Sequence, residues 1–196
     1  MKLPWASMPT AIAPDFCAPG GGQGMAELRL RLSGIGGQGI VFAGRLLSQA
    51  MVEAGKYVSL RYAYGAEVMG TPVHSELVIS DEPILCPFFR EAQVAVVLHP
   101  RAFPEALLGI EAQGLLVLDS AIHREGIPAG TKVEVRPFVA ATTKGRPGDP
   151  GRLAPVAALG FLAKLGFFPL DPLLSVARSG RAAQENIEAL EIGFNF

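Results

Sequence analysis

Six residues near the start of the chain, Gly34-Ile35-Gly36-Gly37-Gln38-Gly39, have the GxGxxG spacing that can bring a backbone close to a phosphate. Their glycines permit a sharp turn. If a helix follows, its first N–H groups and positive dipole end face whatever the turn cradles. Gly34, Gly36, Gly37, Gln38 and Gly39 are thus the first candidate binding residues, for a phosphate-bearing ligand or for an adjoining chain. A dinucleotide site also needs an acidic side chain about 20 positions on, at the end of the second strand. Glu53 falls on the expected helix, and the strand end supplies Arg61, Tyr62 and Tyr64 instead. A complete NAD site is therefore not expected, and a tight strand-to-helix turn without a ligand stays open as a reading.

The segment from Tyr64 to Pro72 places an aromatic, a carboxylate and two glycines between two strands. Tyr64, Gly65, Glu67, Gly70 and Thr71 could face a ligand or another chain. Equally, Gly65 and Gly70 could simply allow turns while Tyr64 covers the core. Asp119, Ser120 and His123 hold the residue types of nucleophilic catalysis, but no GxSxG elbow accompanies them, and Asp119 reads as a loop residue capping the next turn. No catalytic residue is assigned. Cys17 and Cys86 are too few for an iron–sulfur cluster, which takes four thiolates. His74, His99 and His123 have no metal-ligand spacing, so a metal site is not expected.

These candidates need positioning elements. Leu28-Arg29-Leu30-Arg31-Leu32 alternates at period two and predicts a strand. Ile40, Ala43, Leu47, Met51 and Ala54 share one helical face, with Gly55 placed to end the helix. Tyr57 to Tyr62 predicts the second strand and Val73 to Ile79 the third. About ten residues separate them, too few for a comfortable parallel crossover, so this pairing is expected to be antiparallel. His74 and Glu76 would mark the polar or interface side of the third strand. Residues 94–98 and 115–118 are nearly all apolar, as doubly covered strands should be. Lys132 to Val135 reads as an edge strand. After a breaker-rich loop at 144–151, helices are expected over Leu153 to Leu165, from an Asp171-Pro172 start, and over Ala182 to Leu190. The expected fold is α/β, a three-layer α/β/α sandwich with a Rossmann-like, mixed, mostly parallel sheet.

The 196 residues suit one such domain, read here as 25–196, and 49% hydrophobic residues allow a full core. Residues 1–24, interrupted by Pro4, Pro9, Pro14 and Pro19, read as a disordered tail, with Met25 an alternative start. A net charge of −1 without basic clusters excludes nucleic acid or an anionic membrane as natural partners. With neither a signal peptide nor a membrane-length apolar run, a cytoplasmic location is expected.

Taken together, the 34–39 turn with Ile40 to Leu47, then Tyr64-Gly65-Ala66-Glu67, then Ser75 to Ile84, are similar to the gamma subunit or gamma domain of 2-oxoacid:ferredoxin oxidoreductases. Ala158-Leu159-Gly160 and Asn186 to Gly193 resemble that family's closing helices, so the likeness covers about residues 27–193. It departs in two places. Met69-Gly70-Thr71 stands where the family commonly has Arg-Gly-Gly, and an asparagine usual before the later Leu-Gly is replaced around Leu153-Ala154-Pro155.

The resemblance implies coenzyme A-dependent oxidative decarboxylation of a 2-oxoacid such as pyruvate, with reduction of ferredoxin. It implies alpha-, beta- and delta-type partner subunits carrying thiamine diphosphate (TPP), magnesium and iron–sulfur (Fe-S) clusters, and an isolated chain without activity. Under it, the glycine turn and the Tyr64 segment would lie at a subunit interface or meet coenzyme A. Two other readings stand beside it: the beta subunit of an indolepyruvate:ferredoxin oxidoreductase, and a stand-alone nucleotide-binding module.

Overall fold

The computed structural model describes residues 27–64, 70–143, 148–180 and 182–196. The expected tail at 1–24, the start at Met25, and residues 65–69 of the Tyr64 segment, with Gly65 and Glu67, lie outside the described residues. So do positions 144–147 of the breaker-rich loop.

Leu28, Leu30 and Leu32 alternate with Arg29, Arg31 and Ser33 in β1 (Glu27–Ile35), and the leucines are fully buried. The chain turns through the glycines into α1 (Ile40–Glu53) and returns as β2 (Tyr57–Tyr64). β3 (Pro72–Ser80) then runs antiparallel to both β2 and β1, lying between them. The short connection thus produced the expected reversal. β4 (Ala92–Val97) and β5 (Ile110–Asp119) follow in parallel beyond β1, with β6 (Lys132–Arg136) at the far edge. The sheet order is β2-β3-β1-β4-β5-β6, mixed and mostly parallel.

Five helices cover one face: α1, α3 (Phe138–Thr143), α4 (Ala154–Lys164), α5 (Leu170–Ser179) and α6 (Ala183–Phe194). Among the described residues, the other face carries only a 3-10 turn (Pro100–Ala102) and α2 (Phe103–Leu108). The three layers are therefore very unequal. The sequence reading lacked α2, α3 and the 3-10 turn, each shorter than two helical turns. It also needs one correction: α5 starts at Leu170 with Pro169 as its cap residue, so Asp171 belongs to the first turn and is not the N-cap.

All ten residues from Ala154 to Ala163 are buried, which suits a helix enclosed by neighbours on every side. Its closest neighbour is α6, and two glycines make the approach possible. A Cβ on Gly160 would lie 2.1 Å from the Leu190 carbonyl oxygen, and one on Gly193 would lie 1.7 Å from that of Ala157. The closing segments that resemble the family pattern are this reciprocal glycine seam.

Gly160→Ala or Gly193→Ala should force the helices apart and cost about 1–3 kcal/mol in urea denaturation. Gly180→Ala, with no atom nearer than 3.7 Å to the added carbon, should stay within about 0.5 kcal/mol of the parent.

Candidate functional site

The carboxyl ends of β1 and β4 lie side by side, since Ser33 pairs with Val97 in the parallel register. From these ends the chain departs in opposite directions: β1 feeds α1 on the helix-rich face, β4 feeds the 3-10 turn and α2 on the other. A crevice between such loops is where α/β sheets bind ligands. The glycine turn forms one wall and Leu98 to Arg101 the other.

Within the turn, Gly37 and Gly39 have φ of +93° and +79°, and a Cβ on Gly34 would lie 2.5 Å from Gln38 Oε1. The Gln38 side chain is buried. Its Oε1 accepts from the Ile35 N–H at 3.0 Å, while Nε2 donates to the carbonyls of Leu98 at 3.3 Å and Pro150 at 3.0 Å. One carboxamide thus ties together the loops after β1, after β4 and before α4. Gly36 N–H donates to the Thr71 carbonyl at 3.1 Å, and Arg101 Nη1 to the Gly70 carbonyl at 2.9 Å. The structure therefore gathers Gly34, Gly36, Gly37, Gln38, Gly39, Gly70 and Thr71 at one edge. For Tyr64 it shows only the backbone, as the last residue of β2.

Gly39 caps α1 without a side-chain hydrogen bond and the helix's first turn holds no acidic residue, so the dipole end at this edge is not offset from within the helix. Part of the approach is taken by the chain itself, because the Arg152 carbonyl oxygen would lie 2.3 Å from a Cβ on Gly39. Arg101 brings a guanidinium to the loop whose family-type arginine is replaced by Met69. The missing acidic residue of a dinucleotide site also has a topological reason. With β3 inserted, β2 stands two strand spacings from β1, about 10 Å away, and its end no longer borders the crevice.

Asp119, buried at the end of β5, accepts from Ala121 N–H at 3.0 Å and Val139 N–H at 2.8 Å. It caps the next turn and also holds the start of α3, so both oxygens are used structurally. His123 is exposed and Ser120 stands at the surface. Among the described residues no group of three or more His, Cys, Asp or Glu could hold a metal ion, and Cys86 is the one cysteine. An iron–sulfur cluster has no ligand set there.

On the thinly covered face, a charged row escaped the sequence reading. Arg31, Glu76 and Arg61 lie opposite one another across β1, β3 and β2. Arg31 Nε and Nη2 donate to Glu76 Oε1 at 3.0 and 2.9 Å, and Arg61 Nε donates to Oε2 at 2.9 Å. Arg31 and Glu76 are each only 8% exposed. Arg31 also donates to the carbonyls of Gly109 and Arg90, and a Cβ on Gly109 would lie 1.7 Å from Nη1. His74 shares this face, with Nε2 3.1 Å from Glu105 Oε1. The polar side expected from His74 and Glu76 is therefore real but buried. Ser33 Oγ and His74 Nδ1, from residues paired across β1 and β3, are buried without a hydrogen-bond partner among the described residues.

A profile of the pyruvate ferredoxin/flavodoxin oxidoreductase family matches residues 29–196. The 2-oxoglutarate synthase subunit KorC of Archaeoglobus fulgidus is 30% identical over 173 residues, spanning 86% of this chain and 87% of that protein. The pyruvate/ketoisovalerate oxidoreductases common subunit gamma of Thermococcus kodakarensis is 28% identical, covering 86% and 96%. In fold, the keto/oxoacid ferredoxin oxidoreductase gamma subunit of Geobacter sulfurreducens superposes with a TM-score of 0.70 at 24% identity, over 86% of this chain and 96% of that one. The chain belongs to the pyruvate ferredoxin/flavodoxin oxidoreductase family, and within it to the gamma-subunit type. Its relatives are named as subunits of oxidoreductases that contain other chains. Among the described residues, no helix is long and apolar enough to cross a membrane.

Gln38→Leu removes the side-chain partner of three backbone groups, of which the Leu98 carbonyl bond is buried and those of Ile35 and Pro150 are part-buried, and should cost about 1–3 kcal/mol in denaturation. His99 should make stability pH-dependent. Burial first, and then the charge of Arg101, hold its pKa below the ordinary imidazole value, and its neutral Nδ1 accepts from Arg101 N–H at 3.2 Å. The unfolded chain takes up a proton near pH 6.5 while folded His99 resists it. This contribution is thus complete above that pH and is lost as pH falls below it. Urea midpoints at pH 7.5 and 5.5 should separate less in His99→Asn than in the parent.

Proposed function

We propose that this chain is the gamma-type component of a multi-subunit enzyme that oxidatively decarboxylates a 2-oxoacid with coenzyme A, yielding an acyl-CoA and carbon dioxide and passing the electrons to ferredoxin. The observation that carries this reading is the family match over 29–196, which spans every described element except the first two residues of β1. A related fold, the 2-oxoglutarate:ferredoxin oxidoreductase of Magnetococcus marinus (TM-score 0.77, 23% identity, 31% of that chain), was solved with 2-oxoglutarate, coenzyme A and succinyl-CoA bound.

Thiamine diphosphate, magnesium and iron–sulfur clusters would supply decarboxylation and electron transfer from alpha-, beta- and delta-type partners. The donor set supports that division, since the described residues provide neither four thiolates nor a carboxylate cluster. This chain would contribute the carboxyl-edge crevice. There the N–H groups opening α1 and the Arg101 guanidinium suit a phosphate of coenzyme A, and Gln38 keeps the walls in register. Activity would therefore belong to the assembly, in the cytoplasm, while the chain alone would be inactive.

Co-expression with alpha-, beta- and delta-type chains tests this. A tag on the gamma-type chain should retrieve all of them, together with ferredoxin reduction that needs both a 2-oxoacid and coenzyme A. The isolated chain should show none. Ferredoxin reduction by the isolated chain, or an active enzyme lacking this chain, contradicts the reading.

A further inference from the structure

The buried row carries two guanidiniums for one carboxylate, and the surplus charge surfaces at Arg61, whose side chain is 48% exposed on β2. That strand is the outermost of the sheet, eight residues long, and among the described residues no strand pairs with its outer side. Unpaired backbone N–H and C=O groups along such an edge form a template for another extended segment. Aromatic side chains stand beside the charge. The Arg61 guanidinium lies 5.5 Å from the Phe88 ring centroid, and on the opposite face that of Arg45 lies 5.6 Å from Tyr62. Tyr57 and Phe88 are 50% and 64% exposed. Arginine with exposed aromatics is the composition of interface anchors. The other edge, β6, lacks this character: it is five residues long, and Arg136 is balanced by Glu134 at 2.9 Å.

We infer that the β2 edge is a docking site for an acidic extended segment of a partner subunit, added to the sheet as a seventh strand. Backbone pairing along residues 57–64 would supply the bulk of the contact, and carboxylates of the incoming segment would face Arg61 and Arg45. The charge relation selects the occupant. A second copy would bring the same arginines to the edge, and a purely apolar segment would leave the Arg61 charge unmatched. This inference rests on the reading that the chain works within a hetero-assembly.

Hydrogen exchange across residues 57–64 is the test, measured on the isolated chain and on the assembled enzyme. β2 amides not bonded to β3 should exchange quickly in the chain alone and at least about tenfold more slowly in the assembly. Arg61→Gln should weaken assembly at least about tenfold at low salt, with less difference at high salt, because screening removes the charge term. Tyr57→Glu leaves the Glu76 network intact and should have the same effect, which separates docking from folding. Fast exchange in both states of an intact assembly overturns the inference and leaves the functional reading standing. So does slow exchange in the chain alone, whether through self-association or cover by its own segments. Variants that weaken assembly equally at all salt concentrations overturn the acidic partner. A chain that never joins other subunits overturns both readings.

Discussion

The carboxamide of Gln38 is 1% exposed, and each of its polar atoms is committed to a backbone group. A buried amide needs that satisfaction, since an unpaired polar atom in the interior costs more than a paired one gains. The consequence reaches beyond one residue. Leu98 and Pro150 stand 60 and 112 positions away in sequence; the Leu98 N–H already donates to the Ser33 carbonyl of β1 at 2.9 Å, whereas Pro150 lies in a loop outside the sheet. Gln38 sets the distance between them, and with it the width of the crevice where β1 and β4 end. The glycines around it follow from the same requirement: Gly34 leaves room for the amide oxygen, and Gly39 for the Arg152 carbonyl.

The two faces of the sheet solve different problems. Five helices bury one face, and the α4–α6 glycine seam lets two of them touch at backbone distance. Among the described residues the other face has one short helix and a 3-10 turn, yet β1 and β3 still bury polar side chains there. Arg31 can be buried only because Glu76, Gly109 and Arg90 together satisfy its guanidinium, while the Phe89 ring lies 5.5 Å away. The connection between β3 and β4, bearing Phe88 and Phe89, thus serves as a partial outer layer in place of a helix.

Much of this fold was legible because its signals are local. The alternation of Leu28 to Leu32, the helical face from Ile40 to Met51, and the short path from β2 to β3 each sit within one window of sequence. The family pattern, too, was carried by residues close together. What escaped depends on residues far apart. Arg31 on an alternating strand reads as a solvent-facing residue, and only the register with Glu76, 45 positions on, shows it buried. Gln38 sat among the candidate ligand residues because its loop resembles a phosphate turn, whereas its amide is spent on holding loops. α2 and α3, six residues each, are too short for a helical period to emerge. Asp171 resembled an N-cap, but the turn at Pro169 starts the helix two residues earlier than that signal implies.

Gln38 ties the loops at the carboxyl edge of this gamma-type chain together, and under the proposed function other chains would complete the chemistry there. The most direct test is a cryo-electron microscopy map of the purified assembly. The account predicts that the crevice between residues 34–39 and 99–101 faces a partner chain or bound coenzyme A. A map in which that edge opens to bulk solvent, with neither ligand nor partner against it, would contradict the account.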